Sequence, residues 1–395
     1  MTTVAIIGAG LLGRGIAGVV VRAGYSVTLH DSFAESLRSA YEQVSSIARS
    51  EGVTVRAEAD LQHAVADADM VIEAVIENLE LKQQLFERMS QANTNAILMS
   101  NSSVLPIGQI AARAAQPQRC VGTHWWNPPQ LIPVVEVVKG PHTSEAVMQR
   151  TSEFLTRLGK TAVRVERDVP GFVGNRLQHA LWREALALVS DGVCSAEQAD
   201  ETIARSLGVI LAQRGPLAEI NRLGPASVAH EFEQVLPQIN SDAAPAKLLR
   251  DKVARNELGA KSGQGFLSWP AGQREQVATQ LQQHVESRLR AGFVDEDREP
   301  VLSMGQAIIA RRLQVALWRE AIALVADGVC DAKTVDLMAL NTIGLRLAQM
   351  SPITNADYVG LDLTLAIHEA VLPSLNASAE VPALLLHKAW IGEVF

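Results

Sequence analysis

The sequence is short of cysteine, of basic runs and of long apolar stretches, and each shortage removes a class of protein. Its three cysteines, Cys120, Cys194 and Cys330, lie far apart with no C-x-x-C spacing. They are expected as free buried thiols in a reducing compartment. No apolar run reaches the roughly 18–20 residues that cross a bilayer. Lys and Arg number 35 against 43 Asp and Glu, a net charge of −8 with no basic block. Nucleic acid and anionic membranes are therefore not expected as main partners. The opening MTTVAIIGAG lacks the basic segment of a secretion signal and already reads as a strand, so a cytoplasmic location is expected. With 395 residues, 48% of them hydrophobic, two or three domains with sizeable cores fit the chain.

What is present begins with a repeat. Arg176 to Cys194 reads RLQHALWREALALVSDGVC, and Arg312 to Cys330 reads RLQVALWREAIALVADGVC. Sixteen of nineteen positions are identical, at an offset of 136 from 176 to 312. The correspondence runs on through Asp200 and Asp336, Pro216 and Pro352, Gly224 and Gly360, and Lys252 and Lys388. This is a duplicated unit of structure. Leu177, Leu181 and Leu188 recur at helical spacing, and Gly192 stands where a helix would stop. Asn175, just before the first copy, becomes Arg311 in the second. The first copy is therefore expected to work and the second to support it.

Upstream the pattern alternates. Val4–Ile7 reads as a strand, Gly8-Ala9-Gly10-Leu11-Leu12-Gly13 as a turn, Ile16–Arg22 as a helix and Tyr25–His30 as a second strand ending at Asp31. This is a G-x-G-x-x-G fingerprint in strand–turn–helix context, with an acid about 20 residues on. Gly8 allows the tight turn, Gly10 lets a pyrophosphate approach, and Gly13 lets the helix sit on the strand. Asp31 accepts from ribose hydroxyls and repels a 2′-phosphate, which favours NAD over NADP. Further strands are read at Ala68–Ala74 and Ala96–Met99, with a helix over Leu79–Met89 between them. Such alternation builds a mostly parallel sheet, with ligands outside its carboxyl ends. Three polar clusters fall there: Glu73 to Glu77, Ser100-Asn101-Ser102-Ser103, and Gly122-Thr123-His124.

The third cluster continues as Trp125-Trp126-Asn127-Pro128-Pro129 and returns as Val134-Val135-Glu136-Val137-Val138. Twelve residues with a turn between them can set Glu136 beside His124. A carboxylate on one ring nitrogen fixes the tautomer and stabilises the imidazolium, while the other nitrogen takes a proton. The two tryptophans are expected as wall and packing.

These motifs, with Glu77-Asn78-Leu79, Lys82 and Pro170-Gly171-Phe172-Val173-Gly174-Asn175-Arg176, resemble the 3-hydroxyacyl-CoA dehydrogenase family, in family order over about residues 3–267. The resemblance implies that His124 is the base and Glu136 its partner, and that Ser103 and Asn175 bond the reacting oxygen. It implies that Glu77, Lys82, Asn127 and Lys261 lie near the nicotinamide half of NAD, with Gly8, Gly10, Leu11, Leu12, Gly13, Asp31 and Ser103 also at the cofactor. The segment from Asp31 to Glu77 is shorter than in relatives that act on CoA thioesters and carries no lysine. In HWWNPP and NRLQ the chain is closer to the L-gulonate 3-dehydrogenase-like branch, which acts on free hydroxy acids.

The expected architecture is an α/β, Rossmann-type doubly wound NAD-binding domain over 1–167, then two homologous all-α domains. The first spans 168–269, a helical spacer 270–299, and the second, degenerate copy 300–395. Helices are expected at 196–206, 226–235 and 247–257. The expected function is NAD-dependent oxidation of the 3-hydroxy group of a 3-hydroxyacyl substrate. Alternatives are a free hydroxy acid or small polar alcohol such as L-gulonate, or a non-catalytic, crystallin-like NAD-binding protein. The second helical copy is expected to pack on the first as an internal pseudo-dimer, leaving a monomer or weak dimer.

Overall fold

The computed structural model describes residues 2–48, 52–195, 247–265, 268–273 and 304–342, with a few isolated positions between. Most of the helix expected at 196–206, the whole of that expected at 226–235, and most of the spacer expected over 270–299 lie outside the described residues. The chain divides into two compact units, Met1–Phe172 and Val173–Phe395. Both helical copies thus belong to one unit.

The first unit is an eight-stranded sheet. Its strands are β1 (Thr3–Ile7), β2 (Ser26–His30), β3 (Val55–Ala57), β4 (Met70–Glu73), β5 (Ile97–Ser100), β6 (Cys120–Trp125), β7 (Val134–Val138) and β8 (Thr161–Val165). They lie in the order β3-β2-β1-β4-β5-β6-β7-β8. The sequence order reverses between β1 and β4, the switch point where a doubly wound sheet opens a crevice. All pairings are parallel except β6 with β7. The central strands are buried throughout and mostly apolar, with polar residues at their carboxyl ends, as strands covered on both faces are.

Helices α1 (Leu11–Arg22), α2 (Ala34–Ile47), α3 (Leu61–Val65), α4 (Leu79–Ala92), α5 (Ile107–Ile110) and α6 (Glu145–Arg157) join the strands. Side chains from β1, α1, β2 and β4 to β7, among them Ile6, Ile16, Val20, Leu29, Ile72, Met99, Val121 and Val135, form one continuous core. Helix α1 starts at Leu11, five residues before the sequence suggests. Gly13 and Gly15 weaken the local helix signal, but a Cβ at Gly13 would lie 1.8 Å from the Gly8 carbonyl oxygen. The packing that needs glycine there also decides the helix. Helix α4 gains its start from Asn78, whose side chain accepts from the Leu81 amide at 2.9 Å.

The second unit contains α7 (Gly174–Ser190), α8 (Lys247–Ala254), α9 (Met304–Ala326) and α10 (Ala332–Asn341). Helices α7 and α9, which carry the two repeats, pack on each other. Arg176 bonds Glu320 at 2.6 Å, and the repeat-equivalent Arg312 bonds Glu184 at 2.6 Å. Each copy thus gives its arginine to the glutamate of the other, as an isologous pair does about a twofold. Arg183 and Arg319, also equivalent, are both buried.

Candidate active site

The fingerprint loop leaves β1 with Gly8 at φ +100°, where a Cβ would fall 2.7 Å from the Ala74 carbonyl oxygen. A Cβ at Gly10 would meet nothing within 4 Å, so the face above the start of α1 is open to a ligand. Leu11 is largely exposed there and Leu12 packs against the core. At the end of β2, Asp31 accepts from the Ala9 amide at 2.8 Å and the Phe33 amide at 2.9 Å. A helix N-terminus with an open glycine approach and an acid at the second strand end fits a dinucleotide.

The polar clusters at the strand ends are joined to one another. Glu73, on the last residue of β4, has no exposed surface, and neither does Lys82 of α4. Glu73 Oε1 accepts from Lys82 Nζ at 2.7 Å and from the Val75 amide at 2.8 Å. Its Oε2 accepts from Ser100 Oγ at 2.7 Å. Lys82 Nζ also lies 3.3 Å from Glu77 Oε2. Glu77 Oε1 accepts from Ser102 Oγ at 2.5 Å and from the amides of Ser103, Val104 and Leu105 at 2.9, 3.1 and 3.3 Å. Burial opposes the Glu77 charge, but Lys82, the Ser102 hydroxyl and those amides outweigh it and hold its pKa below the ordinary carboxylate value. For Lys82 burial works the other way, and Glu73 and Glu77 outweigh it, so its pKa is raised.

His124 and Glu136 face each other in the antiparallel register of β6 and β7. Directly opposed residues share one face of a sheet. His124 Nδ1 lies 2.6 Å from Glu136 Oε2, and Glu136 is fully buried in an otherwise apolar strand. A carboxylate acceptor there fixes the proton on Nδ1, which leaves Nε2 as the nitrogen able to take up a proton. The imidazole sits 4.9 Å from the Trp126 ring and 5.9 Å from that of Phe172. Asn101 Oδ1 accepts from the Trp125 amide at 2.8 Å and joins the β5 end to this strand. Trp125 belongs to the core, and Trp126 is half-buried beside His124. Ser103 is half-buried and Asn127 exposed.

Asn175 and Lys261 belong to the second unit. Asn175 is buried in the first turn of α7, with its carbonyl oxygen 2.6 Å from His179 Nδ1, while Arg311 at the equivalent place is exposed. Lys261 is exposed in the turn closed by the Gly259–Gln264 bridge.

Two residues near the site escape sequence reading. Lys160 Nζ donates to the carbonyls of Pro129 and Ile132 at 2.5 and 2.7 Å and lies 5.9 Å from the Trp125 ring centre. It anchors the loop between β6 and β7. Asp168 accepts from the amides of Ile107 and Gly108 at 2.8 and 2.6 Å. Both read as surface charges at turns, and no local signal marks their distant partners.

Among the described residues no cluster of His, Cys, Asp and Glu could hold a metal ion, and no helix is long and apolar enough to cross a membrane. All three cysteines are free and buried. Burial pushes the Cys120 thiol up to about 12.

Comparison with known proteins agrees with the NAD-binding cradle. The NAD-binding domain of 3-hydroxyacyl-CoA dehydrogenase matches residues 3–169, and the C-terminal domain of that family matches 171–269 and 308–390. The chain is 34% identical to a 3-hydroxybutyryl-CoA dehydrogenase of Mycobacterium tuberculosis over 284 residues, 67% of this chain and 98% of that one. It is 34% identical to an L-carnitine dehydrogenase of Streptomyces griseus over 250 residues, 60% of this chain and 75% of that one. The crystal structure of a 3-hydroxybutyryl-CoA dehydrogenase from Escherichia coli shares the fold over 99% of this chain and 98% of its own, with a TM-score of 0.70 at 22% identity. The strand order, the glycine cradle and these matches make the chain an NAD-dependent member of the 3-hydroxyacyl-CoA dehydrogenase family.

Proposed function

We propose that this enzyme oxidises the 3-hydroxy group of a 3-hydroxyacyl substrate, with His124 as general base. The observation that carries the reading is the buried His124–Glu136 pair at 2.6 Å. NAD, when bound, would supply the hydride acceptor. His124 Nε2 takes the hydroxyl proton as the carbonyl forms, Glu136 balances the resulting imidazolium, and Ser103 bonds the reacting oxygen. Gly8, Gly10, Leu11, Leu12 and Gly13 would hold the pyrophosphate and Asp31 the adenosine ribose, with Glu77 and Asn127 toward the nicotinamide. Lys82 has no exposed surface, so its part in cofactor binding would run through Glu77. A positioned base contributes about 10²–10⁴-fold. His124→Gln should therefore lose about that much turnover while NADH binding, followed by fluorescence, is kept. Turnover within threefold of wild type would sink the assignment.

A free hydroxy acid is the second reading. Helix α2 has 14 residues and is followed by the three-residue β3, with no lysine between Asp31 and Glu77. Nothing in that segment offers an ammonium to CoA phosphates, and a relative named for L-carnitine is as similar as one named for a CoA thioester. Rates of NADH formation on L-3-hydroxybutyryl-CoA against free 3-hydroxy acids, L-carnitine and L-gulonate decide between them.

We also infer that the second helical copy serves the first as another subunit's helical domain would. The reciprocal Arg176–Glu320 and Arg312–Glu184 pairs support this.

A further inference from the structure

Glu73 is a fully buried charged position of the first unit that the proposed chemistry does not use. It ends strand β4 and is linked to Glu77 through Lys82. Its carboxylate accepts from Lys82 Nζ at 2.7 Å, and the same ammonium lies 3.3 Å from Glu77. Glu77 in turn accepts three successive amides, those of Ser103, Val104 and Leu105, and the Ser102 hydroxyl. Glu77 is therefore a main anchor of the loop that presents Ser103, beside Ser102 Oγ, which also accepts from the Leu105 amide at 2.8 Å, and that carboxylate is held by a lysine shared with Glu73.

We propose that Glu73 is a positioning residue for the reaction: its charge fixes the Lys82 ammonium between two carboxylates, so that Glu77 stays on the backbone that presents Ser103. The physical reason is competition. A buried ammonium with one carboxylate closes on it and draws it away from weaker donors. A second carboxylate, Glu73 at 2.7 Å against 3.3 Å for Glu77 Oε2, holds the ammonium closer to itself and leaves Glu77 Oε1 for the amides. Charge-assisted bonds are roughly twice as strong as neutral ones, so the lysine would otherwise win. Ser100, on the neighbouring strand, holds the far oxygen of Glu73 at 2.7 Å and prevents it from turning away. The link to turnover rests on the role proposed for Ser103; the link to the loop does not.

Glu73→Gln tests the charge alone. The amide oxygen can still accept from Lys82 and Val75, and the amide nitrogen can donate to Ser100 Oγ. Two readouts are needed. Hydrogen exchange of the Ser103–Leu105 amides should quicken about tenfold, with strand β1 and helix α1 unchanged. A donor displaced by about 1 Å costs up to about a hundredfold, so kcat should fall about tenfold or more while the NADH dissociation constant stays within about threefold. In a Lys82→Met background the same change should add nothing to exchange in that loop, because its route is gone. Unchanged exchange at 103–105 in Glu73→Gln overturns the proposal, whatever the activity. So does faster exchange throughout the unit, which would make Glu73 a stabilising residue only. If the wild-type protein oxidises none of the hydroxy substrates, the functional reading fails, and the exchange measurement still decides the case of Glu73.

Discussion

Fully buried carboxylates set the character of this site. Glu73 and Glu136 have no exposed surface and stand in strands of otherwise apolar residues. A charge in such a place persists only if it is paired and hydrogen-bonded. Glu136 has His124, and Glu73 has Lys82, the Val75 amide and Ser100. Glu77 is the partly exposed member, and its depressed pKa carries a stability consequence. A group whose pKa is lowered by folding stabilises above its ordinary value, near 4.5 for this carboxyl, and loses that contribution as the pH falls through the folded value. The gap in melting temperature between wild type and Glu77→Gln should therefore be constant from neutral pH down to about 5 and close as the pH falls further. A gap that does not change between pH 6 and 3 would contradict the pairing. The pairing of His124 with Glu136 was legible beforehand, because twelve residues with a proline turn between them describe a hairpin. The linkage through Lys82 was not. Sequence spacing names the residues at each strand end, but only the sheet order puts β4, β5 and α4 against one another.

At the scale of elements, helices α7 and α9 make the clearest case. Their repeats are legible as a duplication, and an offset of 136 residues fixes which side chains correspond. The reciprocal ion pairs are a tertiary fact. Arg176 and Glu320 are 5% and 0% exposed, whereas Arg312 and Glu184 are 18% and 1% exposed. Breaking a buried pair by removing one partner costs about 3–5 kcal/mol, because the remaining charge is left without compensation. Two further buried arginines sharpen this. Burial, and then the proximity of Arg319, pull the Arg183 pKa down to about 10, so each glutamate counters more than one cation. Glu320→Ala should lower the unfolding free energy by about 3–5 kcal/mol. Glu184→Ala should cost less, since its arginine partner reaches solvent. Denaturant titration of the second unit's unfolding step measures both, and equal small losses would show that the pairs are ornamental. Boundaries were less legible than the elements themselves. Helix α1 begins at the loop and not five residues later, because steric demand at Gly13 outweighs glycine's poor helix propensity.

For the whole molecule, the duplication bears on assembly. In an isologous dimer each subunit offers the same patch to the other. Here both halves of such a contact lie in one chain, through α7 and α9. If the second copy stands in for another subunit, the face that would recruit one is already covered. Sedimentation at micromolar concentration should then give a monomer. A dimer that survives dilution, and that loses association when Arg176 and Arg312 are both replaced by Ala, would mean that the helical repeats meet between chains instead.

The sequence by itself determined the alternating α/β start, the dinucleotide fingerprint, the histidine and its glutamate, and the duplicated helix. Each of these is written in local spacing: glycines at fixed offsets, apolar residues at periods of two or 3.6, and one segment copied almost unchanged. Tertiary structure alone decided which distant groups meet. It placed Lys160 under the loop after His124, Asp168 at the start of α5, Lys82 between Glu73 and Glu77, and each repeat's arginine on the other's glutamate. The physical reason is common to all four. A charged side chain in a turn or on a helix reads as solvated until packing removes its water, and its partner is then chosen by sheet order and helix pairing, which no local pattern records.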